Sequence, residues 1–198
     1  LEDSWFESKT NQTIARKTWD LPEKALIVGL FGRIDALKGH ADLLHAIAEP
    51  NAADWHALII GENTPNARGV DQLEALKKRA IELNIANRVH WKPPSENLQS
   101  AYDCCDAYAM CSASETFGMV TIEAMARRVP VVGTEAGGTP ELLGNGAKGQ
   151  LYRAGNHKQL ASSLENREKW PLPTSEQLAQ FQRSVAVTQW QDLLMHSR

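Results

Sequence analysis

Two glutamates, Glu115 and Glu123, bracket the turn Thr116-Phe117-Gly118 near the middle of the chain. A strand-like segment precedes the turn and an apolar helical pattern over residues 118–127 follows it, so Glu123 lies roughly 7.5 Å inside the helix along its axis. The free N–H groups at a helix start bind anions. Ionised carboxylates accept hydrogen bonds and donate none, so they suit hydroxyl groups. The pattern favours a ligand with a diol on each side of an anionic group.

The loop at residues 32–39 joins an apolar strand to a helix and carries two cations, Arg33 and Lys38. A guanidinium holds a phosphate through two parallel hydrogen bonds, and an ammonium acts beside it as a point charge. The pair would therefore suit a diphosphate. The alternative is that both are solvated surface charges, as most arginines and lysines are. This loop alone leaves both interpretations open.

A nucleotide sugar combines these features, because its diphosphate lies between the diol of the ribose and that of the sugar. Two alternatives remain open for the glutamates. Glu115 would be an acid favoured by the helix dipole and Glu123 an exposed helical residue, or the two would be glycosidase carboxylates, whose separation the spacing along one helix does not determine.

A second glycine-containing loop, Gly137-Gly138-Thr139-Pro140-Glu141, follows a short apolar strand. Thr139 is predicted to be a helix N-cap, with Pro140 in the first turn and Glu141 as a favourable acid. Backbone N–H groups of the glycines would reach a diphosphate or a sugar, but a purely structural turn explains the same residues equally well.

Apolar runs alternate with helical patterns along the chain, which predicts an α/β fold. The continuous apolar run at residues 25–31 is typical of a strand covered on both faces. Further strands are predicted at 55–60, 88–91, 107–111, 129–133 and 149–152, and helices at 39–48, 70–83, 96–102, 118–127, from 140 through 143, 157–167 and 175–194.

This alternation predicts right-handed crossovers and a doubly wound, Rossmann-like parallel sheet, with ligands at the carboxyl ends of the strands. The loops 32–39, 61–69, 112–118 and 134–141 would meet there. Residues 1–24 are mostly polar and end in a predicted turn, so they are expected to be a linker that adds no core element.

The formal net charge of −3 argues against the basic face that nucleic acids require, so any anion site must be local. No apolar run approaches a membrane span and the first residues lack a signal-peptide pattern, which predicts a cytoplasmic protein. Cys104, Cys105 and Cys111 are expected to be reduced and buried. The scattered histidines form no zinc signature, and no metal or cofactor is expected.

Together these loops resemble the carboxyl-terminal domain of retaining GT-B glycosyltransferases, specifically the glycosyl transferases group 1 family, also called glycosyltransferase family four. The resemblance covers most of the chain, and its most specific element is the pattern Glu, seven residues, Glu from Glu115 to Glu123. The other matching positions include Gly32-Arg33, Lys38-Gly39, Tyr102 with Asp106, and Gly137-Gly138-Thr139-Pro140-Glu141.

The resemblance implies one half of a GT-B fold, which binds a nucleoside-diphosphate sugar, with a UDP-sugar expected before a GDP- or ADP-sugar. Arg33 and Lys38 would hold the diphosphate and stabilise charge on the departing nucleotide without a metal. Glu115 would contact the donor sugar, and Glu123 would accept the ribose hydroxyls. The predicted catalytic residues are Arg33, Lys38 and Glu115. The predicted donor-binding residues are Gly32, Arg33, Lys38, Glu115, Thr116, Phe117, Gly118, Met119, Val120 and Glu123.

The family also has an amino-terminal domain that binds the acceptor. Residues 1–24 are therefore expected to be the linker from it, and residues 25–198 the donor-binding domain, with carboxyl-terminal helices at about 156–194. By itself this part would bind donor but transfer little, and any peripheral contact with the inner membrane face would involve the missing half. Segments 88–91 and 95–102 would flank the nucleobase.

Two departures from the family pattern are visible. Thr116 and Thr121 replace glycine or an apolar residue, and Arg127-Arg128 replaces small residues. The alternatives are a sugar-nucleotide epimerase or a phosphorylase of the same architecture, and a non-catalytic nucleotide-binding α/β module.

Overall fold

A computed structural model describes residues 1–7, 9–63 and 71–196, the last four for their backbone only. Within these residues the chain forms a sheet of six parallel strands. The strands are β1 (Leu26–Phe31), β2 (Trp55–Ile60), β3 (Val89–Lys92), β4 (Ala107–Met110), β5 (Val131–Thr134) and β6 (Gln150–Tyr152). The predicted doubly wound parallel sheet is confirmed.

The strand order is β3-β2-β1-β4-β5-β6, so the sheet grows outward in both directions from its centre. β1 pairs with β2 on one side and with β4 on the other, where Val28 lies opposite Ala107. In such sheets ligands bind beyond the carboxyl ends of the two strands at which the order reverses. The loops that follow β1 and β4 therefore lie side by side.

Helices cover both faces of the sheet, because successive residues of each strand point to opposite sides. Ile27 and Phe31 pack on one face, and Val28 and Leu30 on the other. The helices are α1 (Gln12–Thr18), α2 (His40–Ala48), α3 (Gln72–Glu82), α4 (Leu98–Asp103), α5 (Met119–Ala126), α6 (Thr139–Leu142), α7 (His157–Glu165), α8 (Ser175–Ala179) and α9 (Arg183–His196). α2, α3 and α7 supply core residues on one face, and α1, α4, α5 and α8 on the other.

The expectation that residues 1–24 add no core element is wrong. α1 lies in this segment, and Ala15, Trp19 and Leu21 are buried in the core that α4 and α5 share. Ala15 and Trp19 are four residues apart, which places them on one face at the end of the helix. The Trp19 indole Nε1 donates to Ser100 Oγ at 3.0 Å. A single short helix places few apolar residues in this polar segment, so the sequence carries only a weak helical signal.

The single helix predicted at 175–194 is also wrong, because the chain turns between α8 and α9. Phe181 packs against the core at this turn, and its amide bonds to the Leu178 carbonyl. The Arg183 amide, at the start of α9, then bonds to the Leu1 carbonyl at 2.8 Å. Contacts with the distant amino-terminal segment thus interrupt a continuous helical pattern.

The remaining boundaries differ from the predictions by a few residues. Val129 lies between α5 and β5 rather than in the strand, because its amide bonds back to the Ala124 carbonyl. Most of the predicted loop at 61–69 and the start predicted for α3 at residue 70 lie outside the described residues. All three cysteines are buried and free, as predicted. No helix in the described ranges is long and apolar enough to cross a membrane.

Candidate functional site

Lys38 and Glu115 meet at the carboxyl edge of the sheet. The Asp35 carboxylate accepts hydrogen bonds from the amides of Leu37 and Lys38, which fixes a turn of 3₁₀ helix after β1. The Lys38 Nζ donates to Glu115 Oε2 at 2.7 Å, with the side chains 24% and 16% exposed. Lys38 is thus an ion-paired side chain at the carboxyl edge of the sheet and not a solvated surface charge.

The backbone of Glu115 rests on the glycine pair after β5. The Gly138 N–H donates to the Glu115 carbonyl at 2.7 Å. A Cβ at Gly138 would lie 2.5 Å from the Thr116 carbonyl oxygen, and one at Gly137 2.3 Å from that of Glu115. No side chain larger than hydrogen fits this approach. The Gly138 amide therefore supports the loop that carries Glu115 and does not bind a ligand. This agrees with the alternative in which the glycine loop is a purely structural turn.

Thr139 is not the N-cap predicted for α6. Gly138 occupies that position, and Thr139 is the first residue of the helix, followed by Pro140 and Glu141 as predicted. The Thr139 side chain is fully buried, with its methyl group packed against Gly133, and its hydroxyl has no hydrogen-bond partner among the described residues. The orientation of the Thr139 side chain is thus determined by packing of its methyl group against β5 and not by a capping hydrogen bond.

α5 begins at Met119, and its N-cap is Gly118 in the left-handed conformation with φ 75°. This glycine has no side chain to accept hydrogen bonds from the first turn. The N–H groups at the start of α5, just after the loop that carries Glu115, thus receive no side-chain cap from residue 118 and suit an external acceptor.

Glu123 lies one turn further along α5 and is half-buried, with Oε2 2.8 Å from the donating Tyr102 hydroxyl. Burial raises the pKa of the Glu123 carboxyl above its ordinary value, and the hydrogen bond from Tyr102 opposes that rise. Glu123 is thus a desolvated, hydrogen-bonded carboxylate and not the exposed helical residue of the alternative interpretation.

A cavity of about 280 Å³ opens beside Glu123. Its lining includes the charged residues Arg33, Glu62 and Glu123 and the apolar residues Val120, Pro94 and Leu98. The Arg33 side chain is 68% exposed, with its guanidinium 3.7 Å from the Asp35 carboxylate. The cavity thus combines apolar side chains with an exposed guanidinium and the half-buried Glu123 carboxylate.

Not all the predicted site residues share this cavity. Gly32, Arg33, Val120 and Glu123 line it, whereas Thr116 and Phe117 line a separate cavity of about 410 Å³ with Leu142 and Phe181. The Phe117 and Met119 side chains are 55% and 44% exposed. Phe117 belongs to the loop between Glu115 and α5, and Met119 is the first residue of the helix.

Sequence reasoning assigned no role to Tyr102 and did not foresee the contact of Gly138 with Glu115. Tyr102 belongs to the matching positions, and its position before β4 is the only signal that the sequence offers. The sequence indicated a glycine loop at Gly137-Gly138, but the partner of this loop is another loop of the chain and not a ligand.

Comparison with known proteins identifies the family. The family model described as "Glycosyl transferases group 1" matches residues 11–184. The D-inositol 3-phosphate glycosyltransferase of Mycolicibacterium smegmatis is 36% identical over 174 residues, which cover 84% of this chain and 39% of that protein. The enzyme of the same name from Corynebacterium urealyticum is 34% identical over 154 residues, covering 76% of this chain and 36% of that protein. The chain spans about two fifths of the length of these curated relatives.

Solved structures share the fold. Anabaena HepE in complex with UDP-glucose superposes with a TM-score of 0.76 at 26% identity, covering 85% of this chain and 46% of that chain. The carboxyl-terminal domain of a glycosyl transferase group 1 family protein, LpcC from Francisella tularensis, superposes with a TM-score of 0.71 at 26% identity, covering 84% and 86%. The latter match extends over nearly the whole of an isolated domain. The chain therefore belongs to the glycosyl transferases group 1 family and has the fold of the carboxyl-terminal domain of a GT-B glycosyltransferase.

Proposed function

We propose that this chain is the donor-binding domain of a retaining glycosyltransferase that uses a nucleoside-diphosphate sugar, with a UDP-sugar as the first candidate. The observation that carries the proposal is the arrangement around the start of α5. Glu115 pairs with Lys38 before the helix start, and Glu123, one turn into the helix, lines the cavity that Arg33 also lines.

Each part of the donor has a matching group in this arrangement. The diphosphate lies at the open N–H groups of α5, with Lys38 and Arg33 as cations. The ribose hydroxyls donate to Glu123, and the sugar hydroxyls donate to Glu115. The base enters the cavity between Pro94, Leu98 and Val120, whose apolar surfaces suit a flat ring.

The catalytic roles follow from electrostatics. Negative charge gathers on the nucleoside diphosphate as its bond to the sugar breaks, and in this proposal Lys38 and Arg33 stabilise that charge. Glu115 holds the sugar and also positions Lys38 through their 2.7 Å contact. We expect the acceptor site to correspond to the part of the relatives outside the aligned region, since the matched relatives are more than twice as long as the aligned part.

The complex of Anabaena HepE with UDP-glucose supports UDP-glucose as the first donor to test. Calorimetry of the chain with UDP-, GDP- and ADP-glucose is expected to give saturable binding, strongest for UDP-glucose. Lys38→Ala and Glu123→Ala are expected to weaken this binding at least about tenfold, the effect of losing one charged hydrogen bond.

Lys77→Ala is a matched control, because Lys77 pairs with Glu74 on the surface of α3. It removes the same charge as Lys38→Ala and is expected to leave the affinity unchanged. Absence of binding to all three sugars, or equal losses in Lys38→Ala and Lys77→Ala, would overturn the proposal.

A further inference from the structure

We infer that Tyr102 is a positioning residue for donor binding, whose hydroxyl orients the Glu123 carboxylate and keeps it ionised to receive the ribose hydroxyls. The inference rests on the proposed function, in which Glu123 binds the ribose. Tyr102 itself is fully buried and does not reach the donor, so it acts only through Glu123.

The position of the hydroxyl is fixed by the packing of its ring. Phe31 contacts the Tyr102 ring edge-to-face at a centroid distance of 4.7 Å, and Trp5 does so at 5.8 Å. The hydroxyl lies 2.8 Å from Glu123 Oε2 and 3.2 Å from the Val120 carbonyl. It has a single proton, and the carboxylate is both the nearer and the stronger acceptor.

α4 and α5, which carry Tyr102 and Glu123, are also joined by a second contact. Asp103 follows Tyr102 on α4, and Arg127 follows Glu123 by one turn beyond α5. The Arg127 guanidinium donates to both Asp103 carboxylate oxygens, at 3.0 and 2.7 Å, and the pair is almost completely buried. Neighbouring residues of α4 thus hold α5 at two points on one face. A bidentate buried pair allows little sliding, so the hydroxyl is pre-organised for the carboxylate.

The electrostatic setting explains why Glu123 needs this donor. Burial raises the pKa of the Glu123 carboxyl, which favours the protonated form, and the Tyr102 hydrogen bond lowers it again. The other polar groups near Glu123 are Tyr108 of β4, and Arg33 and Glu62, which line the same cavity. Burial also raises the pKa of Tyr102 well above its ordinary value, so this phenol remains a donor throughout the acid range.

The experiment follows the affinity of the chain for UDP-glucose as the pH is lowered from 8 to 4. UDP-glucose is used because its diphosphate carries no group that titrates in this range. The native chain is expected to lose affinity as Glu123 becomes protonated. In Tyr102→Phe the affinity at pH 8 is expected to fall about tenfold, and the acid limb to move to higher pH by about one unit, the effect of losing a hydrogen bond to a charged group.

Two variants separate this role from a structural one. Tyr108→Phe removes another buried hydroxyl, which bonds to the backbone of Phe31. It is expected to lower stability and leave the acid limb in place. Incorporation of 3-fluorotyrosine at position 102 preserves the packing and strengthens the donor, so the limb is expected to move in the opposite direction, to lower pH. This second substitution decides the matter even where Tyr102→Phe does not fold.

Glu123→Gln tests whether Glu123 causes the loss of UDP-glucose affinity at low pH. The variant is expected to abolish this acid limb. Absence of UDP-glucose binding to the native chain at pH 8 contradicts the proposed function itself. A different result is that the native chain binds UDP-glucose with an acid limb that Glu123→Gln abolishes but neither Tyr102 substitution moves. That result leaves the proposed function intact and overturns this inference alone.

Discussion

Lys38 and Glu115 form an ion pair between the loops that follow β1 and β4, with Nζ 2.7 Å from Oε2, although 77 positions separate them in sequence. Each belongs to a loop at one of the two adjacent strands where the strand order reverses. The pair brings the proposed phosphate-binding cation into contact with the proposed sugar-binding carboxylate. Ligand groups that engage one therefore affect the other.

Glu115→Gln tests this coupling. The amide removes the charge that holds Lys38, so UDP is expected to bind as tightly as before or more tightly, whereas UDP-glucose loses about tenfold in affinity with the sugar contact. Calorimetry with both ligands measures the difference. Glu74→Gln on the exposed surface of α3 is the control. Equal losses for UDP and UDP-glucose would contradict separate roles for the two residues.

Gly138→Ala is expected to disturb the site without touching the donor. The added methyl group would lie 2.5 Å from the Thr116 carbonyl oxygen, so the loop that carries Glu115 must move. UDP-glucose affinity is expected to fall more than about tenfold, because a displacement of ~1 Å at a site is costly. Gly146→Ala is the control, because it imposes a positive φ of 97° on alanine in open space. It should cost stability and spare the affinity; an unaffected Gly138→Ala protein would refute the supporting role.

Asp103→Asn is expected to destabilise the fold. It breaks the buried pair with Arg127, in which the side chains are 0% and 3% exposed, and removes the charge that also accepts from the Thr10 amide at 2.8 Å. The cost is expected to be about 3 kcal/mol in the free energy of unfolding. Urea denaturation measures it. Glu74→Gln, which breaks an exposed pair, should change the same quantity by less than about 0.5 kcal/mol. Similar values for the two variants would show that the buried pair is dispensable.

His40 makes stability dependent on pH. Its ring is 2% exposed, and burial lowers the pKa to about 4 from an ordinary 6.5, against the opposing effect of Asp35. As the pH falls, the unfolded chain binds the proton first, so stability present above pH 6.5 is lost progressively down to pH 4. The loss is expected to approach about 3 kcal/mol.

The measurement for His40 is the urea midpoint of the native chain and of His40→Gln at several pH values from 7 to 4. His40→Gln is expected to show a flatter decline, whatever its stability at pH 7. His157→Gln, at a half-exposed ring near Glu49, serves as the control and should keep the native slope. Parallel curves for the native chain and His40→Gln would exclude His40 as the source.

The sheet was predictable because its strands carry strong local signals. The apolar run at β1 and the strand β2 at Trp55–Ile60 follow directly from side chains that are covered on both faces. The turn from Glu115 into α5 was equally visible, since Gly118 ends one element and begins another. α1 was missed because only a few apolar residues of a short helix reach the core.

The pairings within the site were not predictable from local sequence. Lys38 with Glu115, Gly138 with Glu115, and Tyr102 with Glu123 each join different elements. Their contacts depend on which strands become neighbours and on how closely two loops approach. Residue spacing identifies candidate ligand-binding groups, but it does not show which of them are bonded to one another.

The pairing of β1 with β4 also determines when the site can form during folding. β1, β2 and β3 are consecutive in sequence and pair with one another, so this half of the sheet can assemble through short-range connections. Lys38 and Glu115 meet only after Val28 reaches Ala107, which closes a long loop at a higher entropic cost. Donor binding during refolding would therefore report the final joining of the two half-sheets, and a chain arrested before that step would retain secondary structure and have no site.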